Sequence, residues 1–181
     1  MERVLLLTGR PGVGKTSLIR NALAVSGVRA GGFYTEEVRH EGVRVGFDIV
    51  TLDGGRGVLS RVGLNSSCRV GKYEVDVEGL ERLGVAAIEK AMQECNTVVV
   101  DEIGKMELFS TAFREAVLKA IGRERRVLGT VMLRSHPWAD ELKQRRDVGV
   151  VEVTTRNRDQ VLGDVVEWLG VNRDGACDCH T

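Results

Sequence analysis

The sequence predicts an α/β fold in which a mostly parallel β-sheet is covered by helices on both faces and carries an inserted antiparallel β-meander. Short apolar runs alternate with helical patterns along most of the 181-residue chain, which favours parallel strands joined by helices. Residues 32–75 interrupt this alternation with strand patterns separated only by turns. We therefore expect a single domain over residues 1–170, with residues 32–75 as the meander.

Composition and charge narrow the functional class. Hydrophobic residues make up 43% of the chain and charged residues 29%, as is usual for soluble globular proteins. The 26 basic residues balance 26 acidic ones, which argues against nucleic acid as the main partner and leaves a local basic patch open. No stretch is long enough to cross a membrane and no signal-peptide pattern is present, so we expect a cytoplasmic protein without a membrane partner.

The glycine-rich loop at residues 9–16 matches the phosphate-binding P-loop pattern G-x-x-x-x-G-K-T. Its glycines let successive backbone N–H groups point at phosphate oxygens, while the lysine reaches the terminal phosphates and the threonine hydroxyl ligates Mg²⁺. An apolar strand pattern precedes the loop and a helical pattern follows it, which disfavours the alternative of a glycine turn that binds nothing. The predicted phosphate-binding residues are Gly9, Arg10, Pro11, Gly12, Val13, Gly14, Lys15 and Thr16, with Thr16 also a metal ligand.

The remaining elements follow from periodicity and turn residues. A helix is predicted at residues 110–122, with Ser110 as its cap, and another at residues 157–169, with Asn157 as its cap. Two further helices are predicted at residues 78–93 and 138–146. Strands are predicted at residues 4–7, 32–39, 43–52, 58–62, 70–75, 97–101, 126–133 and 148–153.

A second half of the site is predicted where the apolar strand at residues 97–101 ends in two carboxylates, Asp101 and Glu102. This is the Walker B pattern, and in α/β sheets ligands collect at the carboxyl ends of the strands. We expect Asp101 to hold Mg²⁺ and Glu102 to orient or deprotonate the attacking water. The alternative, an exposed acidic turn, is weakened by the P-loop upstream.

Phosphoryl transfer also requires positive charge on the transferring group. Lys105 follows the acidic pair and is the first candidate. The segment at residues 134–147 has the position of a kinase lid, and residues 155–158 could contact a base or ribose. The other basic candidates, each weighed against a solvated surface charge, are Arg10, Arg134, His136, Arg145 and Arg146.

The chain ends in a cysteine-rich tail, residues 171–181, which we expect to be flexible. Cys177, Cys179 and His180 could chelate a metal, but their spacing does not match a structural zinc site, so incidental thiols are favoured.

Several stretches together resemble one family. They are the P-loop, Gly-Phe-Tyr-Thr-Glu-Glu-Val-Arg at residues 32–39, Gly-Phe-Asp at 46–48, Leu-Ser-Arg-Val-Gly at 59–63 and Asp-Glu-Ile-Gly-Lys-Met-Glu-Leu-Phe at 101–109. They are similar to the THEP-type nucleoside-triphosphatases. The resemblance implies a RecA-like P-loop NTPase fold and slow, Mg²⁺-dependent hydrolysis of several nucleoside triphosphates. It also implies a second nucleotide-binding segment made of Thr97, Val98, Val99, Val100, Asp101, Glu102, Ile103 and Gly104.

Three functional hypotheses follow. The first is hydrolysis of ATP, GTP, CTP, UTP and similar nucleotides to the diphosphate and phosphate, with Lys15, Asp101, Glu102 and Lys105 as the catalytic residues. The second is phosphoryl transfer to an unknown acceptor, as in nucleotide or nucleoside kinases, and the third is a nucleotide-dependent switch. The sequence leaves base preference open, and oligomeric state too, with a monomer slightly favoured.

Overall fold

The computed structural model describes residues 2–170 of the chain. Within these residues the strands are β1 (Val4–Thr8), β2 (Ala30–His40), β3 (Val43–Thr51), β4 (Arg56–Arg61), β5 (Arg69–Val70), β6 (Tyr73–Val75), β7 (Thr97–Ile103), β8 (Arg126–Val131) and β9 (Val148–Glu152). The α-helices are α1 (Lys15–Ser26), α2 (Val77–Gly79), α3 (Ala86–Glu94), α4 (Thr111–Ile121), α5 (Pro137–Lys143) and α6 (Arg158–Trp168). None of the helices in these residues has the length and apolar character that crossing a membrane requires.

All nine strands join one sheet, in the order β5-β6-β4-β3-β2-β7-β8-β1-β9. The five strands from β2 to β9 in this order pair in parallel. The strands β3, β4, β6 and β5 continue the sheet beyond β2 with antiparallel pairing. The meander is therefore an extension of the parallel sheet, and β2 belongs to both parts.

The order of the parallel strands determines which loops meet at the carboxyl edge of the sheet. β8 lies between β1 and β7 and pairs with both. The loops that follow β1 and β7 are consequently one strand apart and face each other across the end of β8. This edge is where an α/β sheet collects its ligands.

Helices cover both faces of the sheet, as predicted. On one face, α3 and α4 pack on the sheet through buried residues such as Ile88 and Val117, and Phe33 meets Phe113 edge to face with ring centroids 6.2 Å apart. On the other face, α1 and α6 enclose a second cluster that includes Leu7. Strands buried on both faces must be apolar throughout, which explains the unbroken aliphatic run at the start of β7.

The structure corrects two predicted elements in the middle of the chain. The single strand predicted at residues 70–75 is two short strands, β5 and β6, because Gly71 and Lys72 form a turn between them. The helix predicted at residues 78–93 contains a π-helical segment, Leu80–Val85, between α2 and α3.

Both predicted cap residues, Ser110 and Asn157, occupy the N-cap position of their helices. The Ser110 hydroxyl accepts a hydrogen bond from the Phe113 backbone N–H at 2.9 Å at the start of α4. Asn157 is the N-cap residue of α6, as predicted, but its Oδ1 accepts a hydrogen bond from the Thr154 backbone N–H at 2.7 Å. The asparagine side chain closes the loop before α6 and makes no side-chain cap on the helix.

Candidate functional site

The P-loop occupies the connection between β1 and α1, as the pattern predicts. Gly14 is the residue before the helix and has φ of 97°, a left-handed conformation that strains residues with a side chain. The first turn then closes with a hydrogen bond from the Leu18 N–H to the Gly14 carbonyl at 2.9 Å. The N–H groups at the start of α1 have no intrahelical acceptor, so the loop ends in a site that favours anions.

Lys15 is held over the loop that precedes it. Its Nζ donates hydrogen bonds to the carbonyl oxygens of Gly9, at 3.1 Å, and Arg10, at 3.4 Å. The ammonium group therefore lies above the curled backbone, where it can bind the terminal phosphates of a nucleotide placed on the loop.

Asp101 lies within β7 and is 1% exposed. Its Oδ1 accepts a hydrogen bond from the Thr130 hydroxyl at 2.6 Å, whereas its buried Oδ2 has no hydrogen-bond partner among residues 2–170. Burial raises the pKa of this carboxyl, and the hydroxyls of Thr130 and Thr16 and the charge of Lys15 oppose the rise. The structure thus brings Thr16 and Lys15, from the P-loop, together with Asp101.

An unpartnered oxygen on a buried carboxylate is costly unless a ligand completes its coordination. The Thr16 hydroxyl also lies near this carboxyl group, and hard oxygens of this kind suit Mg²⁺. The part of the chain that the structure describes has no group of three or more His, Cys, Asp or Glu residues able to hold a metal. A cation at this point would take its other ligands from water and phosphate, as Mg²⁺ commonly does.

Glu102 follows Asp101 through a cis peptide bond and faces a cavity beside Lys15. Burial raises the pKa of the Glu102 carboxyl, the charge of Lys15 opposes this rise, and the neighbouring Asp101 adds to it. A carboxylate beside the phosphate-binding lysine, and open to a cavity, is placed to accept a proton from an attacking nucleophile.

The other residues of the predicted second segment have different surroundings. Thr97, Val98, Val99 and Val100 are buried inside the sheet at 0% exposure, and Ile103 points into the core. They support the acidic pair from the strand and do not line the cavity. Gly104 and the exposed side chain of Lys105 do line it.

The cavity has a volume of about 540 Å³ and opens from the P-loop toward the meander. Gly9, Arg10, Pro11 and Lys15 border it on the phosphate side. Its opposite wall is formed by meander residues, namely Thr35, Phe47, Leu59 and Val70.

One side chain of the cavity that the residue patterns did not single out is Glu107. It is only 4% exposed, lines the cavity, and accepts a hydrogen bond from the Gly104 backbone N–H at 3.1 Å. Burial, followed by the nearby charge of Glu102, raises the pKa of Glu107 to about 8. The available signal in the sequence was a single acidic residue within the otherwise apolar run Met-Glu-Leu-Phe at residues 106–109.

Gly104 separates the two glutamates. A Cβ atom on residue 104 would lie 3.0 Å from Oε2 of Glu107 and 3.4 Å from Cδ of Glu102. A side chain at this position would push the two carboxyl groups apart, so glycine permits their close approach.

The predicted basic residues lie in different places in the structure. Arg134 and Arg10 line the cavity, whereas Arg145 pairs with Asp147 at 2.7 Å. His136 lines a smaller neighbouring cavity. Arg158, within the segment proposed to contact a base or ribose, has Nη1 3.3 Å from where a Cβ atom of residue 14 would lie.

The cysteine-rich tail, residues 171–181, lies outside the described residues. The proposed metal-binding role of Cys177, Cys179 and His180 is therefore unchanged as a prediction from the sequence.

In the parallel sheet, a glycine-rich loop follows β1, ends in lysine and threonine, and faces a buried acid on β7. This combination defines a P-loop nucleotide-binding protein. A family model described as NTPase matches residues 4–166. The chain therefore belongs to the NTPase family, the nucleoside-triphosphatases that its sequence resembles.

Individual relatives agree with this family. The chain is 47% identical over 169 residues to "Nucleoside-triphosphatase THEP1" of Thermotoga sp. (strain RQ2), covering 93% of this chain and 97% of the relative. It is 46% identical over 191 residues to the human "Cancer-related nucleoside-triphosphatase", covering 96% and 100%. The crystal structure of THEP1 from Aquifex aeolicus is similar with a TM-score of 0.85 and 36% identity, over 92% of this chain and 99% of that one. The predicted fold class is confirmed.

Proposed function

We propose that the protein hydrolyses nucleoside 5′-triphosphates to the diphosphate and phosphate with Mg²⁺ and with low base specificity. The observation that carries the proposal is the meeting of Lys15 and Thr16, from the P-loop, with the partly unpartnered carboxylate of Asp101. The names of the relatives, nucleoside-triphosphatases, support the same reaction.

Each residue has a distinct task in this proposal. The loop N–H groups bind the phosphates, and Lys15 binds the β- and γ-phosphates. Thr16 and Asp101 hold Mg²⁺, which neutralises charge on the phosphate oxygens when it is bound. Glu102 accepts the proton of the attacking water, because it faces the cavity beside Lys15.

Low base specificity and slow turnover have physical reasons. The residues with assigned roles act on phosphate, metal and water, and none of them reads a base. The cations that could stabilise the transferring phosphoryl group, Arg10, Lys105 and Arg134, all have exposed side chains at the cavity. Exposed cations contribute less than preorganised ones in a water-excluded site, so we expect slow hydrolysis.

The test is phosphate release from ATP, GTP, CTP and UTP, with Mg²⁺ and with EDTA. We expect release from all four with Mg²⁺ and loss of release with EDTA. The variant Lys15→Ala should reduce release by about 10²-fold or more, because the cation on the terminal phosphates is lost.

Lys90→Ala is the matched control, because Lys90 is exposed and pairs with Asp53 on another part of the surface. It should release phosphate at the wild-type rate. Undiminished release by Lys15→Ala would contradict the assigned site, and release from only one nucleotide would contradict low base specificity.

A further inference from the structure

The cavity beside Glu102 is much larger than hydrolysis requires. An attacking water occupies roughly 30 Å³, and the cavity measures about 540 Å³. Its volume falls within the range of about 300–1,000 Å³ that is typical of small-molecule sites. Even with a terminal phosphate at its mouth, the cavity leaves room for a second molecule.

The position of the cavity shows which end of a bound triphosphate it faces. P-loops hold the inner phosphates on the backbone N–H groups and the terminal ones at the lysine. The cavity is lined by Lys15 and Glu102, whereas Gly12 and Gly14 of the loop and Thr16 in the first turn of α1 are not part of its lining. It therefore begins at the γ-phosphate and extends away from the inner phosphates.

The position of the cavity determines the side from which a bound molecule would attack, because phosphoryl transfer follows an in-line geometry. The attacking and leaving oxygens lie on opposite sides of the transferred phosphorus. A molecule in the cavity would therefore approach the γ-phosphate from the side of the nucleophile, with Glu102 beside its reacting oxygen.

The residues that line the cavity indicate the chemistry of the molecule that it could bind. The meander contributes Phe47, Leu59 and Val70, and the loops after β7 and β8 contribute Met106 and Met132. These apolar side chains suit a flat, uncharged body such as a nucleobase.

The inner wall carries two carboxyl groups, Glu102 and Glu107, on either side of Gly104. The cations of the cavity, Arg10, Lys15, Lys105 and Arg134, lie where they can neutralise the charge of the transferred phosphate. A hydroxyl group needs a general base to lose its proton as it attacks, and Glu102 can take this role. The apolar walls and this base together favour an uncharged alcohol as the acceptor.

We propose that the cavity binds a neutral, hydroxyl-bearing acceptor of nucleoside size and that the protein transfers the γ-phosphoryl group to it. The acceptor oxygen forms a bond to the γ-phosphorus while the bond to the β–γ bridging oxygen breaks. The nucleoside diphosphate leaves with that electron pair, and the hydroxyl proton passes to Glu102 and then to solvent. This rests on the proposed function, because the same nucleotide site supplies the phosphoryl group.

The test follows ATP consumption with adenosine, guanosine, cytidine, uridine or thymidine present in turn. ADP and phosphate are measured separately, and the phosphorylated product is identified by mass spectrometry. We expect at least one nucleoside to raise ADP formation severalfold above phosphate release, with the phosphorylated nucleoside equal to the difference. Equal amounts of ADP and phosphate with every nucleoside would overturn the proposal. The nucleoside monophosphates are tested in the same way, and transfer to them but to no nucleoside would contradict a neutral acceptor.

Two valine variants locate the acceptor. Val70→Phe fills part of the cavity, whereas Val62→Phe places the same bulk on the meander at a residue that is 52% exposed and outside the cavity lining. We expect Val70→Phe to raise the acceptor KM by about tenfold or more, and Val62→Phe to leave transfer unchanged. An equal acceptor KM in the two variants would contradict binding in this cavity.

Phosphate release without any acceptor separates this proposal from the proposed function. Its absence in the wild-type protein would contradict hydrolysis, whatever the nucleosides do. Phosphate release without any phosphorylated nucleoside would contradict phosphoryl transfer and leave the proposed hydrolysis intact.

Discussion

The parallel and antiparallel parts of the sheet are built in different ways. The parallel strands are packed between helices, and β7 is buried at six of its seven positions. The meander carries many charged side chains, and its interactions include the contacts of Asp48 with Arg56 and Arg61. Phosphate-binding groups come from the first part, and the second part contributes Phe47, Leu59 and Val70 to the apolar wall of the cavity.

The parallel strands and the meander therefore have different roles. The parallel part must hold the P-loop and the acidic pair in fixed positions, and tight apolar packing does this. The meander pairs with the parallel strands through β2 and adds side chains to the cavity, while the P-loop and the acidic pair lie on the parallel strands. Changes in the parallel part should therefore have larger effects on stability than changes in the ion pairs of the meander.

The largest stability effect is expected in the packed core. Phe113→Ala removes a fully buried ring that contacts Phe33, and it should lower the free energy of unfolding by about 3–5 kcal/mol. Leu118→Ala, on the same helix but 42% exposed, is the control and should lower the free energy of unfolding much less. Chemical denaturation measures both. Similar costs for the two variants would contradict the packing described for α4.

The next effect depends on pH and concerns Glu107. Its folded-state pKa is raised to about 8 from a usual value of 4.5, so unfolding releases a proton at intermediate pH. This group therefore makes stability fall as pH rises from 4.5 toward 8, by up to ~1.4 kcal/mol per pH unit. Glu107→Gln, which has no titrating group, should lose that dependence and gain stability over wild type as pH rises.

Denaturation of both proteins between pH 4 and pH 9 tests this prediction, with Glu89→Gln on the exposed side of α3 as the control. We expect the control to follow the wild-type profile. Parallel profiles for Glu107→Gln and the wild type would show that Glu107 is already ionised in the folded protein at neutral pH.

The smallest effect is expected at the ion pair of Arg69 with Glu74, which joins the two short strands of the hairpin at 3.2 Å. The arginine side chain is 60% exposed, so solvent screens the pair, and its coupling energy should be about 0–1 kcal/mol. A double-mutant cycle with Arg69→Ala and Glu74→Ala measures it. A coupling energy as large as the loss of unfolding free energy in Phe113→Ala would contradict the expected difference in stability effects between the parallel part and the meander.

The sequence was most informative where function depends on residues that are adjacent in the chain. The P-loop and the pair of Asp101 and Glu102 follow from local patterns, because each pattern includes its strand. The structure then shows that Thr16 and Lys15 meet Asp101 across the end of β8. No local pattern gives that strand order, since it depends on how distant strands pair.

Two features that were not predicted, the burial of Glu107 and the composition of the cavity wall, depend on tertiary contacts. Glu107 is distinctive through its burial and its distance from Glu102, neither of which can be obtained from spacing. At Asn157 the difference is local, because the residue is the N-cap of α6 while its side chain bonds to Thr154 in the preceding loop. The cavity wall combines residues as far apart in the chain as Phe47 and Met132.

The most direct test of the central claim measures nucleotide binding and phosphate release together in Glu102→Gln. Glutamine keeps the size of the side chain and removes the group that accepts the proton. We predict that ATP with Mg²⁺ binds with nearly unchanged affinity, while single-turnover phosphate release slows by about 10²–10⁴-fold. Release at the wild-type rate would contradict the role of Glu102 as the general base. Loss of binding would instead make Glu102 part of the nucleotide-binding site.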